Sequence, residues 1–214
     1  MARTIGSSAT RTRQRVLEAA RALFLERGYA GTSIRDIAEH LHMTKAALYY
    51  HFPAKEDVLR ELVDPVAVEL TACVRAAESR TESRRDLLRR VVELFDDNRH
   101  VLRGTLYDSS ARQVLLAEDD LFGGISALER ALAVSDDAAD LLLARCALGT
   151  IRGAIISARD VDALALNRPP DSGVGAGLSE QDRDLVAAAA WAALTAAALP
   201  EPEPCSAAES PRRI

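Results

Sequence analysis

The sequence predicts an all-α protein, and three observations carry that expectation. Nearly half of the 214 residues are apolar (48%), yet aromatic residues make up only 4%, so the apolar content is mostly Ala and Leu, which favour helices packed on helices. Apolar positions recur at helical spacing along most of the chain. No segment shows the alternation expected of a half-buried strand, and no internal repeat is present. The expected layout is a short polar arm over 1–10, a three-helix unit over 11–60, a helical body over 61–199 and a disordered tail over 200–214.

The first helix is marked by Val16, Leu17, Ala20, Leu23 and Phe24 and ends at Gly28. Arg11, Arg13 and Arg15 lie near its start, either beside a phosphate backbone or on a solvated face. Residues 33–52 then read as two short helices around a tight turn. Ser33 caps the first, with Asp36 three positions on completing a capping box, and Ile34, Ile37, Ala38 and Leu41 share its apolar face. After His42 and Met43, Thr44 caps the second, whose inward positions are expected to be Ala47, Leu48 and Phe52. Its other face carries Lys45, Tyr49, Tyr50 and His51. Two helices joined this way form a helix-turn-helix, whose second helix enters the DNA major groove.

Past Lys55 a helical pattern runs through Val58, Leu59, Leu62 and Val63 until Asp64-Pro65, where a bend or a restart is expected. Further helices are expected over 66–79, 83–97, 99–107 and 110–133, the last with a weak point at Gly123-Gly124. Helices over 137–159 and 180–199 follow, separated by an irregular connection over 160–179 rich in Pro and Gly. These last two helices are apolar around much of their circumference. A helix apolar on more than one face must be covered on more than one side, so a second subunit is expected to pack there.

The chain as a whole is mildly acidic, at −5, but its charge is unevenly spread. Residues 1–60 hold ten basic against six acidic side chains, leaving seventeen against twenty-six in the remainder. A basic module on an acidic body fits a protein that touches DNA with one end. No apolar run is long enough for a membrane span, and no signal-peptide core opens the chain, so a cytoplasmic location is expected. Cys73, Cys146 and Cys205 are too widely spaced for a zinc pattern or a disulfide framework. His40 and His42 do not share a helical face, and Glu118-Asp119-Asp120 reads as a solvated acidic run rather than a metal site. No phosphate-cradling glycine loop, nucleophile elbow or His-Glu metal motif is present, so neither a cofactor nor an enzymatic activity is expected.

Thr32-Ser33-Ile34-Arg35-Asp36-Ile37-Ala38, Met43-Thr44-Lys45, Leu48-Tyr49-Tyr50-His51-Phe52-Pro53, Lys55 and Leu59 together resemble the DNA-binding domain of the tetracycline-repressor (TetR) family, over roughly residues 11–60. Two positions depart from the family pattern: His42 stands where the turn usually has Gly, and Ala54 where a capping Ser is usual. The resemblance implies a homodimeric regulator, most simply a repressor, that binds a palindromic double-stranded operator and is released by a small organic effector. It also implies a four-helix dimer interface built from the final helix pair of each subunit. A helical protein that binds or sequesters a small molecule without using its DNA-binding head is the alternative.

Lys45, at the start of the second motif helix, is the candidate base reader, since Lys donates to guanine O6 and N7. Thr44, Tyr49, Tyr50, His51 and Lys55 suit phosphates, and Tyr49 equally suits packing. Ala46 and Ala47 touch a thymine methyl or allow close approach, while Arg35 meets phosphate or solvent; Arg13 and Ser33 complete the set. Phe95, His100, Arg103, Tyr107 and Phe122 are candidates for an effector pocket, because His100, Arg103 and Tyr107 share one helical face among apolar neighbours. Leu141, Arg145, Leu148, Ile155, Leu185, Trp191 and Leu194 are the candidate dimer-interface residues.

Overall fold

The computed structural model describes residues 5–106, 108–117, 120–156 and 177–196. They form ten α-helices and no strand: α1 (Ile5–Arg27), α2 (Ile34–His40), α3 (Lys45–His51), α4 (Lys55–Ser79), α5 (Arg84–Asp97), α6 (Arg99–Leu106), α7 (Ser109–Leu116), α8 (Asp120–Leu132), α9 (Ala138–Ile156) and α10 (Glu180–Leu194). Helices α1–α3 and the start of α4 make a head, and α5–α10 pack around the rest of α4 as a body. One apolar core runs through both, from Val16, Phe24, Ile37, Leu48 and Phe52 to Leu70, Leu102, Leu128 and Ile151. No described helix is long and apolar enough to cross a membrane.

Local chemistry accounts for the head helices. Ser33 Oγ accepts from the Asp36 amide while Asp36 accepts from the Ser33 amide at 2.7 Å, closing the expected capping box at the start of α2. Thr44 Oγ1 accepts from the Ala47 amide at 3.1 Å and starts α3. His42, between them, has φ of 53°, the left-handed conformation that the usual glycine supplies without strain. Ala54 offers no side-chain cap to α4, but Asp57 Oδ2 accepts from its amide at 2.9 Å, so one half of a capping box survives.

Four expectations about the elements change. Helix α1 begins at Ile5, inside the expected arm, and only residues 1–4 of that arm lie outside the described residues. Helix α4 runs unbroken through Pro65, so there is no restart there, and the expected division at residue 60 falls inside this helix. Proline costs a helix interior about 3 kcal/mol. Here Asp64 and Pro65 face solvent, leaving the Glu61 carbonyl that loses its bond beside water. Val63, Val66, Ala67 and Leu70 are buried and offset the loss by packing. The expected helix over 110–133 is two helices, and its break falls between Leu116 and Asp120 rather than at the glycines. Gly124 lies within α8, where a Cβ would stand 3.4 Å from Leu70 Cβ: it marks the close crossing of α8 on α4. Finally, α10 ends at Leu194, short of 199. The tail with Cys205, and most of the 160–179 connection, lie outside the described residues.

The body anchors α10 through a buried carboxylate. Asp96 of α5 is fully buried and accepts from the Leu178 amide at 3.0 Å and from Arg183 Nε at 2.9 Å, with the Arg99 guanidinium 3.4 Å away. A buried charge held by several donors is costly to strip of any one of them. Asp96 thereby ties the segment entering α10, and α10 itself, to α5.

Gly124→Leu is expected to force α8 away from α4 and to lower stability by about 1–3 kcal/mol. Urea unfolding followed by circular dichroism measures this, with Gly124→Ala, which adds only the Cβ, losing far less.

Candidate nucleic-acid interface

Helix α3 is presented outward by two buried anchors one turn apart. Leu48 and Phe52 are both fully buried against the head core. Four-residue spacing puts them on one face, which turns Lys45, Ala46, Tyr49 and Tyr50 to solvent. Tyr50 is 84% exposed and Tyr49 41%, unusual for large aromatic side chains. Ala47, expected to point inward, is exposed. It stands about 100° round the helix from Leu48, and its contribution to the head is its amide, donated to Thr44. Lys45 Nζ lies 5.4 Å from the centre of the Tyr49 ring, and the Tyr50 and His51 rings meet edge to face at 5.4 Å.

A groove of about 700 Å3 opens between the starts of α2, α3 and α4. Arg35, Lys45 and Tyr49 line it together with Gly31–Ser33 and the acidic Asp36 and Glu56; Lys55 also borders it, with its ammonium directed to the Tyr29 and Thr32 carbonyls. Cationic and phenolic donors around a groove that borders an exposed helix can hold phosphate oxygens while α3 reaches base edges. Arg35 pairs with Glu39 one turn along α2 at 2.7 Å, on a surface where both remain largely exposed and the pair is readily exchanged for another anion. Thr44 and Ser33 are present at the same surface, with their hydroxyls engaged in capping.

Two residues expected to face DNA are engaged by other parts of the protein, Arg13 at an exposed position and Lys55 at a half-buried one, and both act as clamps. The Arg13 guanidinium stacks over the Phe52 ring at 4.3 Å, donates to the His51 carbonyl at 2.8 Å and ion-pairs with Glu61 of α4. One side chain thus joins α1 to the end of α3 and to α4. Lys55 Nζ donates to the Tyr29 carbonyl at 2.9 Å and to the Thr32 carbonyl at 3.1 Å, and lies 3.9 Å from the centre of the Tyr29 ring. Its charge is committed to the turn between α1 and α2, so a phosphate role is not what this geometry supports. The same turn is held by Thr32, which is buried and donates to the Gly28 carbonyl at 2.9 Å. Tyr29 packs edge to face on Phe24 at 5.2 Å and donates to Glu56 at 3.3 Å. Burial first, and then the Glu56 charge, push its phenol well above the ordinary value, so it remains a donor. Sequence spacing gave no sign of these clamps, because each joins residues more than twenty positions apart.

Among the described residues, the candidate effector side chains sit in different surroundings. Phe95 is buried in the core, His100 is half-buried, and Phe122 lies under the Arg112 guanidinium at 5.8 Å. Arg103 lines a cleft of about 350 Å3 with Phe24, Leu25 and Gly28 of the head, from which the other three are absent. Tyr107 lies outside the described residues, as do Glu118 and Asp119.

The candidate interface residues divide. Leu148, Ile155 and Leu194 are buried within the single chain, because α9 and α10 pack on each other and on α5, which uses one face of each helix. They are core residues, a correction to the expected set. Leu141 and Trp191 are half-buried, and Arg145 is exposed, paired with Glu129 at 3.0 Å. Leu185 of α10 is 68% exposed and Leu142 of α9 59%. Cys146 and Gly153 of α9, and Ala188, Ala189 and Ala192 of α10, are exposed as well, with Arg145 and Arg152 among them on α9.

Residues 16–62 match the sequence model of the bacterial regulatory proteins of the tetR family. The HTH-type transcriptional regulator TtgR of Pseudomonas putida is 37% identical over 82 residues, which is 38% of this chain and 39% of TtgR. The chain therefore matches about two fifths of that relative's length. Among solved structures, NalD, the secondary repressor of the MexAB-OprM multidrug efflux pump in Pseudomonas aeruginosa, superposes with a TM-score of 0.59 at 20% identity, covering 86% of this chain and 97% of NalD. SmeT, solved in complex with triclosan, superposes with a TM-score of 0.55 at 24% identity, covering 72% of this chain and 82% of SmeT. At these identities the structural likeness speaks to the fold.

Lys55→Met keeps the side-chain stem and removes the ammonium that serves two carbonyls and a ring. Stability is expected to fall by about 1–3 kcal/mol in urea unfolding. If Lys55 serves the turn rather than a phosphate, the salt slope of DNA binding stays as in the wild type; a slope reduced by about one counterion marks a phosphate contact instead.

Proposed function

We propose that this chain is a member of the TetR family of bacterial regulatory proteins, whose sequence model matches residues 16–62, and that it is a sequence-specific DNA-binding transcriptional regulator acting as a homodimeric repressor. One observation carries this reading. Helix α3 holds Lys45, Ala46, Tyr49 and Tyr50 in the open while Leu48, Phe52 and the Arg13 clamp fix it from behind. An exposed helix on a braced support is what major-groove entry needs. Lys45 reads base edges, and Tyr49, Tyr50 and Arg35 place the head on phosphates.

Dimerisation supplies the second half of the site. The open face of α9 and α10, centred on Leu142 and Leu185, is the surface through which a second copy packs, and small residues along it let the helices approach closely. Two heads then address half-sites about 34 Å apart, or a multiple of it, on one side of a palindromic operator. Release follows when a small organic effector binds more tightly to a body conformation whose heads no longer match that spacing. The triclosan complex of SmeT supports an effector of this chemical size for a protein of this fold.

Two variants test the reading. Lys45→Ala is expected to lose about 1–3 kcal/mol of discrimination between duplexes selected by the wild-type protein from a random library, measured by fluorescence anisotropy. An unchanged ranking of those duplexes removes Lys45 as the base reader. Leu185→Asp, at an exposed position, is expected to give folded monomers in analytical ultracentrifugation and to abolish tight operator binding with them. A wild-type protein that sediments as a monomer at micromolar concentration contradicts the dimer.

A further inference from the structure

Asp108 belongs to the body but holds part of the head. It lies between α6 and α7, and its Oδ1 does what a helix-capping aspartate does: it accepts from the Ser110 amide at 2.9 Å and from the Ala111 amide at 3.1 Å. Its Oδ2 is directed elsewhere. It accepts from the amide of Ala30 at 2.8 Å, in the turn between α1 and α2, 78 residues away in sequence. Burial alone pushes this carboxyl up, but the amides of Ala30, Ala111, Ser110 and Tyr29 outweigh it and hold it below the ordinary carboxylate range. The group is therefore ionised at neutral pH, and its bonds are charge-assisted.

The surrounding backbone is shaped for this contact. Gly28, at φ 75°, leads into the turn, and a Cβ there would stand 3.2 Å from Asp108 Oδ2. Gly104 of α6 comes equally close to α1, where a Cβ would stand 3.3 Å from the Phe24 carbonyl oxygen. Body thus meets head backbone to backbone at Gly104, and at Gly28 through the Asp108 side chain. On its other side the turn is held by Lys55, whose ammonium takes the Tyr29 and Thr32 carbonyls. The turn that leads into α2 and α3 is suspended between a cation of α4 on its carbonyls and an anion of the body on its amide.

Resting on the DNA-binding reading above, we propose that Asp108 is a positioning residue: its carboxylate latches the DNA-binding head to the α6–α7 junction, so that movement of that junction resets the angle at which α3 is presented. A residue needed only to start α7 has no use for the second oxygen. The two oxygens of one rigid carboxylate make the start of α7 and the head turn move together.

Asp108→Ser separates the two roles. Serine caps a helix well, but its single short hydroxyl does not also reach the head. Asp108→Asn is the second variant: its amide oxygen keeps the cap, while its NH2 group opposes the Ala30 amide, donor against donor. In both, hydrogen exchange at the Ala30 amide is expected to rise at least about tenfold, with the α7 amides little changed. Binding is then compared on the selected duplex and on versions with one base pair added to or removed from the spacer between half-sites. The wild type is expected to reject the altered spacers, and the variants to lose most of that preference, because a loosened head samples more than one angle. Unchanged exchange at Ala30 overturns the latch. Raised exchange with spacer preference intact overturns the positioning role. A wild-type protein that binds no duplex removes the regulator reading and this role with it, while Ala30 exchange still reports the bond itself.

Discussion

The turn Gly28–Thr32 is the constraint on which the head depends. Five residues leave α1 and must deliver the chain into α2 at a fixed angle, and the carbonyls of Gly28, Tyr29 and Thr32 turn to side-chain donors of the head. A backbone group that is shielded from water and left unpaired costs a sizeable part of a domain's net stability. Lys55 serves two of them and stacks its charge on Tyr29 as well, while Thr32 serves Gly28. Because α2 and α3 follow directly, the pinned turn acts on the direction of the exposed helix together with Leu48, Phe52 and the Arg13 clamp.

That division explains how much of the molecule the sequence discloses. Features decided by neighbours in the chain are legible: Ser33 with Asp36, Thr44 at the start of α3, the left-handed His42, and the inward Leu48 and Phe52. Features decided by distant partners are not. Arg13, Lys55 and Asp108 all look like surface charges when read in sequence, and each is held by groups far away along the chain. The same limit hides the fate of Pro65 and the Gly123-Gly124 pair. Helix-breaking residues signal a break only where packing does not override them, and the buried stripe of α4 and the crossing at Leu70 do so here.

The body helices add a different lesson. Apolar character around α9 and α10 indicates two apolar faces but does not say which residue belongs to which. Leu148 and Leu194 go to the chain's own core, Leu142 and Leu185 to the open side. Asp96 makes that assignment firm, since its buried carboxylate fixes the entry of α10 through Leu178 and Arg183. The side of α10 left outward is therefore held by a charged network rather than by apolar contact alone.

The division of labour between Lys45 and Lys55 also determines how the protein meets amine chemistry. They are the only two lysines in the chain; every other basic side chain is arginine. Acylation removes the charge of a lysine and leaves arginine untouched. Lys45 stands in solvent at the edge of the groove, whereas Lys55 has its ammonium enclosed by two carbonyls and a ring. An acyl donor therefore meets one open side-chain amine, at the position proposed to face the bases. Neutralising it strips α3 of its cation while the turn and the fold stay in place, and bound DNA shields that same nitrogen from the reagent.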